Sequence, residues 1–133
     1  MLERQVGYLL RLANQRHSAL FNEVVPLGLT PTQFAALIKL AELGESSQNE
    51  LGRQTSMDVA TIKGVVERLR KKGLVEVSSD PNDKRRTILS IPKEQAGVVP
   101  ELREAGHKVS NLTLSPMTTS EQKTLLRLLK KLG

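Results

Sequence analysis

Along the N-terminal part of the chain, apolar residues recur at three- and four-residue steps. Val6, Leu9, Leu10, Ala13, Leu20, Phe21 and Val24 share one side of a helical wheel, which predicts an amphipathic helix over 4–25 with His17 on the same stripe. Pro26 and Gly28 end it. Thr30-Pro31-Thr32-Gln33 opens a second helix: a hydroxyl for the N-cap, a proline where no N–H is needed, and a Gln placed to bond back to the cap. That helix is expected to run to about Leu43, with Phe34, Leu37, Ile38 and Ala41 inward and Gly44 as its stop. Ser47-Gln48-Asn49-Glu50 is a second capping box, starting a short helix to about Gln54, and Asp58 caps the next after a turn of three or four residues. In that next helix Ile62, Val65, Val66 and Leu69 form the inner face, and a turn of 100° per residue places Ala60, Gly64, Glu67 and Lys71 opposite.

The period then changes. Gly73 stops the helix, and strands are predicted over 74–78 and 87–91 around a polar turn rich in Asp and Pro. Two helices joined by a short turn, followed by a hairpin, form a winged helix-turn-helix, so the expected fold is mainly α with a small β-hairpin wing. Beyond it, Pro92 opens a helical region carrying Val98, Leu102, Ala105, Val109 and Leu112, in which Gly97 and Pro100 predict a bend or a late start. Ser115-Pro116 breaks the chain, Thr118 to Glu121 is a third capping box, and Leu125, Leu128, Leu129 and Leu132 stripe a final helix. The expected organisation is one domain over 1–133, with the winged helix-turn-helix at 30–91. The segments 1–25 and 92–133 are expected to be dimerisation helices, because long apolar stripes on terminal helices need a partner.

Charge narrows the class of partner. The chain of 133 residues carries a net +6, and between Lys63 and Arg86 eight basic residues face four acids, a local +4. Such a balance favours a polyanion, nucleic acid ahead of a membrane surface. Tyr8, Phe21 and Phe34 are the sole aromatics, too few for the stacking platforms of single-strand or RNA binders. Double-stranded DNA is therefore the expected partner. The lack of cysteine removes disulfides, thiol sensing and Cys-ligated zinc, and it suits a reducing cytoplasm. With two histidines, no glycine-rich phosphate loop and no clustered carboxylates, neither an enzyme nor a bound cofactor or metal is expected. No membrane association is expected either, since no basic amphipathic segment carries bulky aromatic anchors.

The stretches LTPTQFAALIKLAE and LRKKGLVEVSSDPNDKRRTILSI resemble the MarR family (multiple-antibiotic-resistance regulator type) of bacterial transcription regulators, most specifically at Asp80-Pro81-Asn82-Asp83-Lys84-Arg85-Arg86. The resemblance implies a homodimeric repressor that binds a pseudo-palindromic operator. It also implies release when a small, often aromatic, acid binds between the dimerisation and DNA-binding parts, and the imidazole and guanidinium of His17 and Arg16 would suit a carboxylate or a phenol. Asp83 and Arg85 match the family's wing pair, in which the Arg enters the minor groove and the Asp orients it; Lys84 and Arg86 flank that pair. A narrow minor groove favours Arg, whereas the bland reading is a solvated turn with a surface ion pair.

On the recognition helix, Ala60, Thr61, Lys63 and Gly64 match the positions from which the family contacts bases and phosphates, with Arg68 expected on phosphate and the cap residue Asp58 counted among the DNA-binding candidates. Gly64 departs from the long polar residue many relatives carry. Ser47 and Gln48 are expected to present backbone N–H groups to a phosphate. For His17, with Arg16 beside it, two readings stand. One is a core histidine hydrogen-bonded to a neighbour; the other is an effector contact in the cavity the family forms between its first, second and fifth helices. The rival to DNA binding is a winged helix that serves as a protein-interaction module.

Overall fold

Side-chain caps set most of the helix starts. In the computed structural model, which describes all 133 residues, a 3₁₀ turn (Leu2–Arg4) leads into α1 (Val6–Val24) and α2 (Pro31–Leu43). Then come β1 (Glu45–Ser46), α3 (Gln48–Gln54), α4 (Val59–Lys71), β2 (Glu76–Asp80) and β3 (Asp83–Ser90). A second 3₁₀ turn (Lys93–Gln95), α5 (Val98–Leu114) and α6 (Thr119–Leu132) complete the chain. Thr30 and Thr118 close full capping boxes with Gln33 and Glu121. At the third box Ser47 accepts from the Glu50 amide at 3.2 Å, but the Glu50 carboxylate does not return to the cap. It accepts instead from Arg53 and Gln54, because a charge-assisted guanidinium bond outcompetes a neutral backbone donor. The Gly97 and Pro100 signal appears as a late helix start, with the 3₁₀ turn ahead of α5.

The chain forms two compact units, Pro26–Glu104 and Met1–Val25 with Ala105–Gly133. The winged unit thus reaches past 30–91 to take in residues up to Glu104. Its core is built from Leu37 and Leu40 of α2, Leu51 of α3 and the α4 face of Ile62, Val65, Val66 and Leu69, joined by Leu74, Leu89 and Leu102. The buried face of α2 is Gln33, Ala36, Leu37 and Leu40, while Phe34, Ile38 and Ala41 are only half-buried. The expected stripe was set one position off because Gln33, its side chain consumed by the cap, sits inward as an apolar residue would. Gly52 allows α3 and α4 to meet: a Cβ there would stand 3.1 Å from Ile62 Cγ2 and 3.2 Å from the Met57 carbonyl.

At the end of α4, Gly73 takes φ +75° and the Leu74 amide donates to the Leu69 carbonyl at 3.0 Å, a left-handed cap of the Schellman type. Leu74 and Val75 are therefore buried cap residues, and β2 starts at Glu76 instead of 74. The sheet is antiparallel in the order β1-β3-β2. Its wing ladder climbs to Asp80 opposite Asp83, so β3 begins four residues before the expected 87. Charged side chains suggested a loop, yet an exposed ladder needs only its backbone bonds. β1, two residues long, carries no period to detect.

In the terminal unit, Phe21, Val25 and Val109 are buried. The Arg16 guanidinium donates to the Leu112 carbonyl at 2.6 Å, His17 Nδ1 lies 2.9 Å from Thr113 Oγ1, and Gln122 Nε2 donates to the Leu114 and Met117 carbonyls, tying α1 and α6 to α5. The outer parts of the apolar stripes stay exposed, with Val6 at 65%, Leu9 at 49% and Leu132 at 71%. No helix is long and apolar enough to cross a membrane.

Candidate nucleic-acid interface

α4 presents its first turns to solvent. The Asp58 carboxylate accepts from the Thr61 amide at 2.7 Å, and this backbone bond holds its carboxyl below the usual carboxylate range. The Asp58 side chain thus caps α4 and orients the helix while remaining exposed. Ala60, Thr61, Lys63 and Arg68 are exposed and Gly64 half-exposed, on the face opposite the buried Ile62, Val65, Val66 and Leu69. Neither Lys63 nor Arg68 takes part in an ion pair within the chain.

At the hairpin tip, Pro81 and Asn82 form a two-residue turn. Asp80 Oδ1 accepts from the Asn82 amide at 2.9 Å, and Asp83 Oδ1 accepts from the Arg85 amide at 3.0 Å. The same Asp83 oxygen lies 3.5 Å from Arg85 Nε, at the outer limit of a hydrogen bond. The carboxylate therefore fixes the Arg85 backbone firmly and its guanidinium loosely, leaving both Nη groups free on a side chain that is 93% exposed. The register moves from Ser79↔Thr87 directly to Asp80↔Asp83. Lys84, Arg85 and Arg86 thus occupy an irregularity in the ladder with no opposed residue, and all three are exposed.

The β1 strand has a consequence for this surface. It pairs with β3 through Glu45↔Ser90 and Ser46↔Leu89 and ends immediately before the Ser47 cap, so the start of α3 is carried alongside the wing. Between them lies a polar cleft of about 420 Å³ lined by Ser47, Gln48, Asn49, Arg53, Arg85, Arg86 and Thr87. Ser47, Gln48, Arg85 and Arg86, read separately from the sequence, are brought together here. Asn49, Arg53 and Thr87 were missed. The sequence signal for Arg53 was its place three residues after Glu50, which in the structure holds its guanidinium through Nε at 3.0 Å. Glu50 is in turn kept below the usual carboxylate range by hydrogen bonds from Gln54 and then Arg53. Three guanidiniums with hydroxyl and amide groups around a cleft of this size match the charge and hydrogen-bonding needs of phosphate oxygens.

His17 occupies a separate place. It lines a mainly apolar pocket of about 360 Å³ within the terminal unit, formed by Leu10, Ala13 and Asn14 of α1, Ser110, Thr113 and Leu114 of α5, and Leu125, Leu126 and Leu129 of α6. Its ring is bonded to Thr113 and tilted against Phe21 at 6.5 Å between centroids. Arg16 does not line this pocket; its guanidinium is engaged by the Leu112 carbonyl. No group of His, Cys, Asp and Glu side chains is arranged to hold a metal ion.

A family model described as the MarR family matches residues 29–87. The HTH-type transcriptional repressor NicR of Pseudomonas putida is 39% identical over 129 residues, 96% of this chain and 82% of that protein. A probable transcriptional regulator from Pseudomonas aeruginosa superposes with a TM-score of 0.95 at 47% identity, covering 100% of both chains. Bordetella bronchiseptica BpsR, whose structure addresses regulation of its DNA binding by 6-hydroxynicotinic acid, gives a TM-score of 0.88 at 34% identity over 97% of this chain and 93% of its own. With the recognition helix, the three-stranded wing and identity across nearly the whole length in agreement, the chain belongs to the MarR family.

Proposed function

We propose that this protein is a homodimeric, sequence-specific repressor that binds a pseudo-palindromic double-stranded DNA site and leaves it when a small aromatic acid binds. The observation that carries the reading is the exposed basic surface on one unit: α4 with Lys63 and Arg68, neither in an ion pair, and the wing with Lys84, Arg85 and Arg86 joined to Arg53 across the polar cleft. α4 enters the major groove with Ala60, Thr61 and Lys63 toward base edges, Arg85 reaches the flanking minor groove, and the cleft takes backbone phosphate. The exposed stripes of α1 and α6 mate with a second copy, because two recognition helices must sit about one duplex turn apart, ~34 Å.

The reading extends to control. NicR is a repressor and BpsR is regulated by a hydroxylated aromatic acid, and in this chain the His17 pocket offers apolar walls with an imidazole and a hydroxyl at hand. A regulator of this kind has no catalytic task and acts where the chromosome is, in the cytoplasm. The test is selection from a pool of randomised duplexes by the purified protein, followed by titration of the selected site at several salt concentrations. A two-fold-symmetric site whose affinity falls steeply with salt is expected. No enriched site, or a flat salt response, would instead favour a protein-interaction module. For control, calorimetry with 6-hydroxynicotinate and hydroxybenzoates should show binding that is lost in His17→Ala; equal binding by both proteins removes His17 from the effector site.

A further inference from the structure

The outer face of α4 has a gap at Gly64, and the structure fills it from a neighbouring turn. A Cβ built at Gly64 would stand 3.1 Å from Arg68 Nη1, so the guanidinium of Arg68 lies against the bare backbone one turn before its own Cα. Helical geometry makes this contact natural, since side chains lean toward the N-terminus and residues four apart lie one above the other. Arg68 is exposed and in no ion pair, so the guanidinium lies over Gly64 without being neutralised. Glycine leaves the seat fully open, and a side chain longer than a methyl would fill it.

We propose that Arg68 is a base-reading residue of the recognition helix. Seated on Gly64, its guanidinium would address the base edge that the side chain of residue 64 would otherwise face, making a fork to the O6 and N7 acceptors of a guanine. The chemistry fits: Arg offers a planar, permanently charged set of donors matched to those two acceptors, and that pairing is the commonest specific major-groove contact. An Arg at the same place on an ordinary helix would extend past the groove floor toward the phosphates; seated on Gly64, it is brought back toward the N-terminal turns, where Thr61 and Ala60 lie. The inference rests on the DNA-binding reading above and deepens it by assigning specificity to a residue otherwise expected on phosphate.

The experiment uses the full-length protein and the duplex it selects. Each guanine of a half-site is replaced in turn by 7-deazaguanine, which lacks the N7 acceptor, and affinity is measured by fluorescence anisotropy for wild type, Arg68→Ala, Arg68→Lys and Gly64→Met. We expect one guanine whose replacement weakens wild type about tenfold. Arg68→Ala should bind the unmodified duplex weakly and be indifferent to replacement of that guanine. Arg68→Lys, which keeps the charge but not the fork, and Gly64→Met, which fills the seat while Arg68 remains, should lose the same sensitivity, with helix content by circular dichroism unchanged. The proposal is overturned if Arg68→Ala weakens selected and unrelated duplexes equally and lowers the salt slope by about one, the signature of a phosphate contact. It is equally overturned if Gly64→Met keeps the wild-type response to 7-deazaguanine. Failure to select any duplex would instead sink the DNA-binding reading itself.

Discussion

Association through the terminal helices is open to a quantitative test at Leu9. Its side chain is 49% exposed on the α1 stripe and does not line the His17 pocket, so a change there reads association separately from ligand binding. Fully burying a leucine is worth about 1.5–3 kcal/mol, and covering the exposed half contributes about 1 kcal/mol. In a two-fold interface each substitution counts twice. Leu9→Ala should therefore cost up to about 2 kcal/mol of dimer, a rise in dissociation constant of roughly 30-fold at most. Leu9→Asp adds the desolvation of two carboxylates at several kcal/mol each, for a loss of about 10³-fold or more. Sedimentation equilibrium across a range of protein concentrations measures both. The control is Leu27→Asp: Leu27 is 48% exposed but lies in the winged unit at φ +69°, a conformation that Asp tolerates. Equal exposure with no stripe should leave association unchanged. A Leu9→Asp protein that dimerises as wild type does, or a Leu27→Asp protein that dissociates as readily, would refute the assignment of the stripe to the interface.

Two further predictions concern folding. Gly52→Ala forces a methyl to within 3.1 Å of Ile62 Cγ2 and 3.2 Å of a backbone carbonyl that cannot yield. An overpacking cost of about 1–3 kcal/mol should outweigh the ~1 kcal/mol gain in helix propensity and lower the urea midpoint. Gly64→Ala, which meets only the mobile end of Arg68, should raise the midpoint instead. The Asp58 carboxyl is depressed by its bond from the Thr61 amide, so its stabilising contribution is complete above its ordinary value and lost as pH falls through the lowered one. The melting-temperature advantage of wild type over Asp58→Asn should accordingly be present at neutral pH and shrink on acidification through that window. An advantage independent of pH would count against the cap.

The fold was legible wherever periodicity and capping chemistry coincide. The inner face of α4, the Thr30 and Thr118 caps, the Gly44 and Gly73 stops and the late start of α5 could all be read from residue type and spacing. Readings failed where a competing interaction decided the outcome. Glu50 turned from its capping box to Arg53, Gln33 was drawn inward by its own cap, and the wing ladder continued through charged residues that resemble a loop. The interface was half legible. The motif placed Asp83 beside Arg85, as the structure has them, but the cleft joining Ser47 and Arg53 to Arg86 depends on β1, a two-residue strand whose partners lie more than forty positions away. The seat of Arg68 on Gly64 was present in the sequence as an i, i+4 pair, yet it carried no sign that the guanidinium would fold back. His17 is bonded to Thr113, as the first of its readings had it, and the pocket it lines is formed by α1, α5 and α6 in place of the expected cavity between the first, second and fifth helices.

Recognition of a DNA sequence by the wing and α4 is measured most directly by the affinity of wild type and Arg85→Ala for the selected duplex and for a scrambled one. Arg85 is 93% exposed and joined to Asp83 by a long contact, so its removal should leave the melting temperature essentially unchanged. Arg85→Ala should bind the selected duplex at least tenfold more weakly, with a smaller loss on the scrambled one. Unchanged affinity for the selected duplex, or equal binding of both duplexes by wild type, would contradict recognition by this surface.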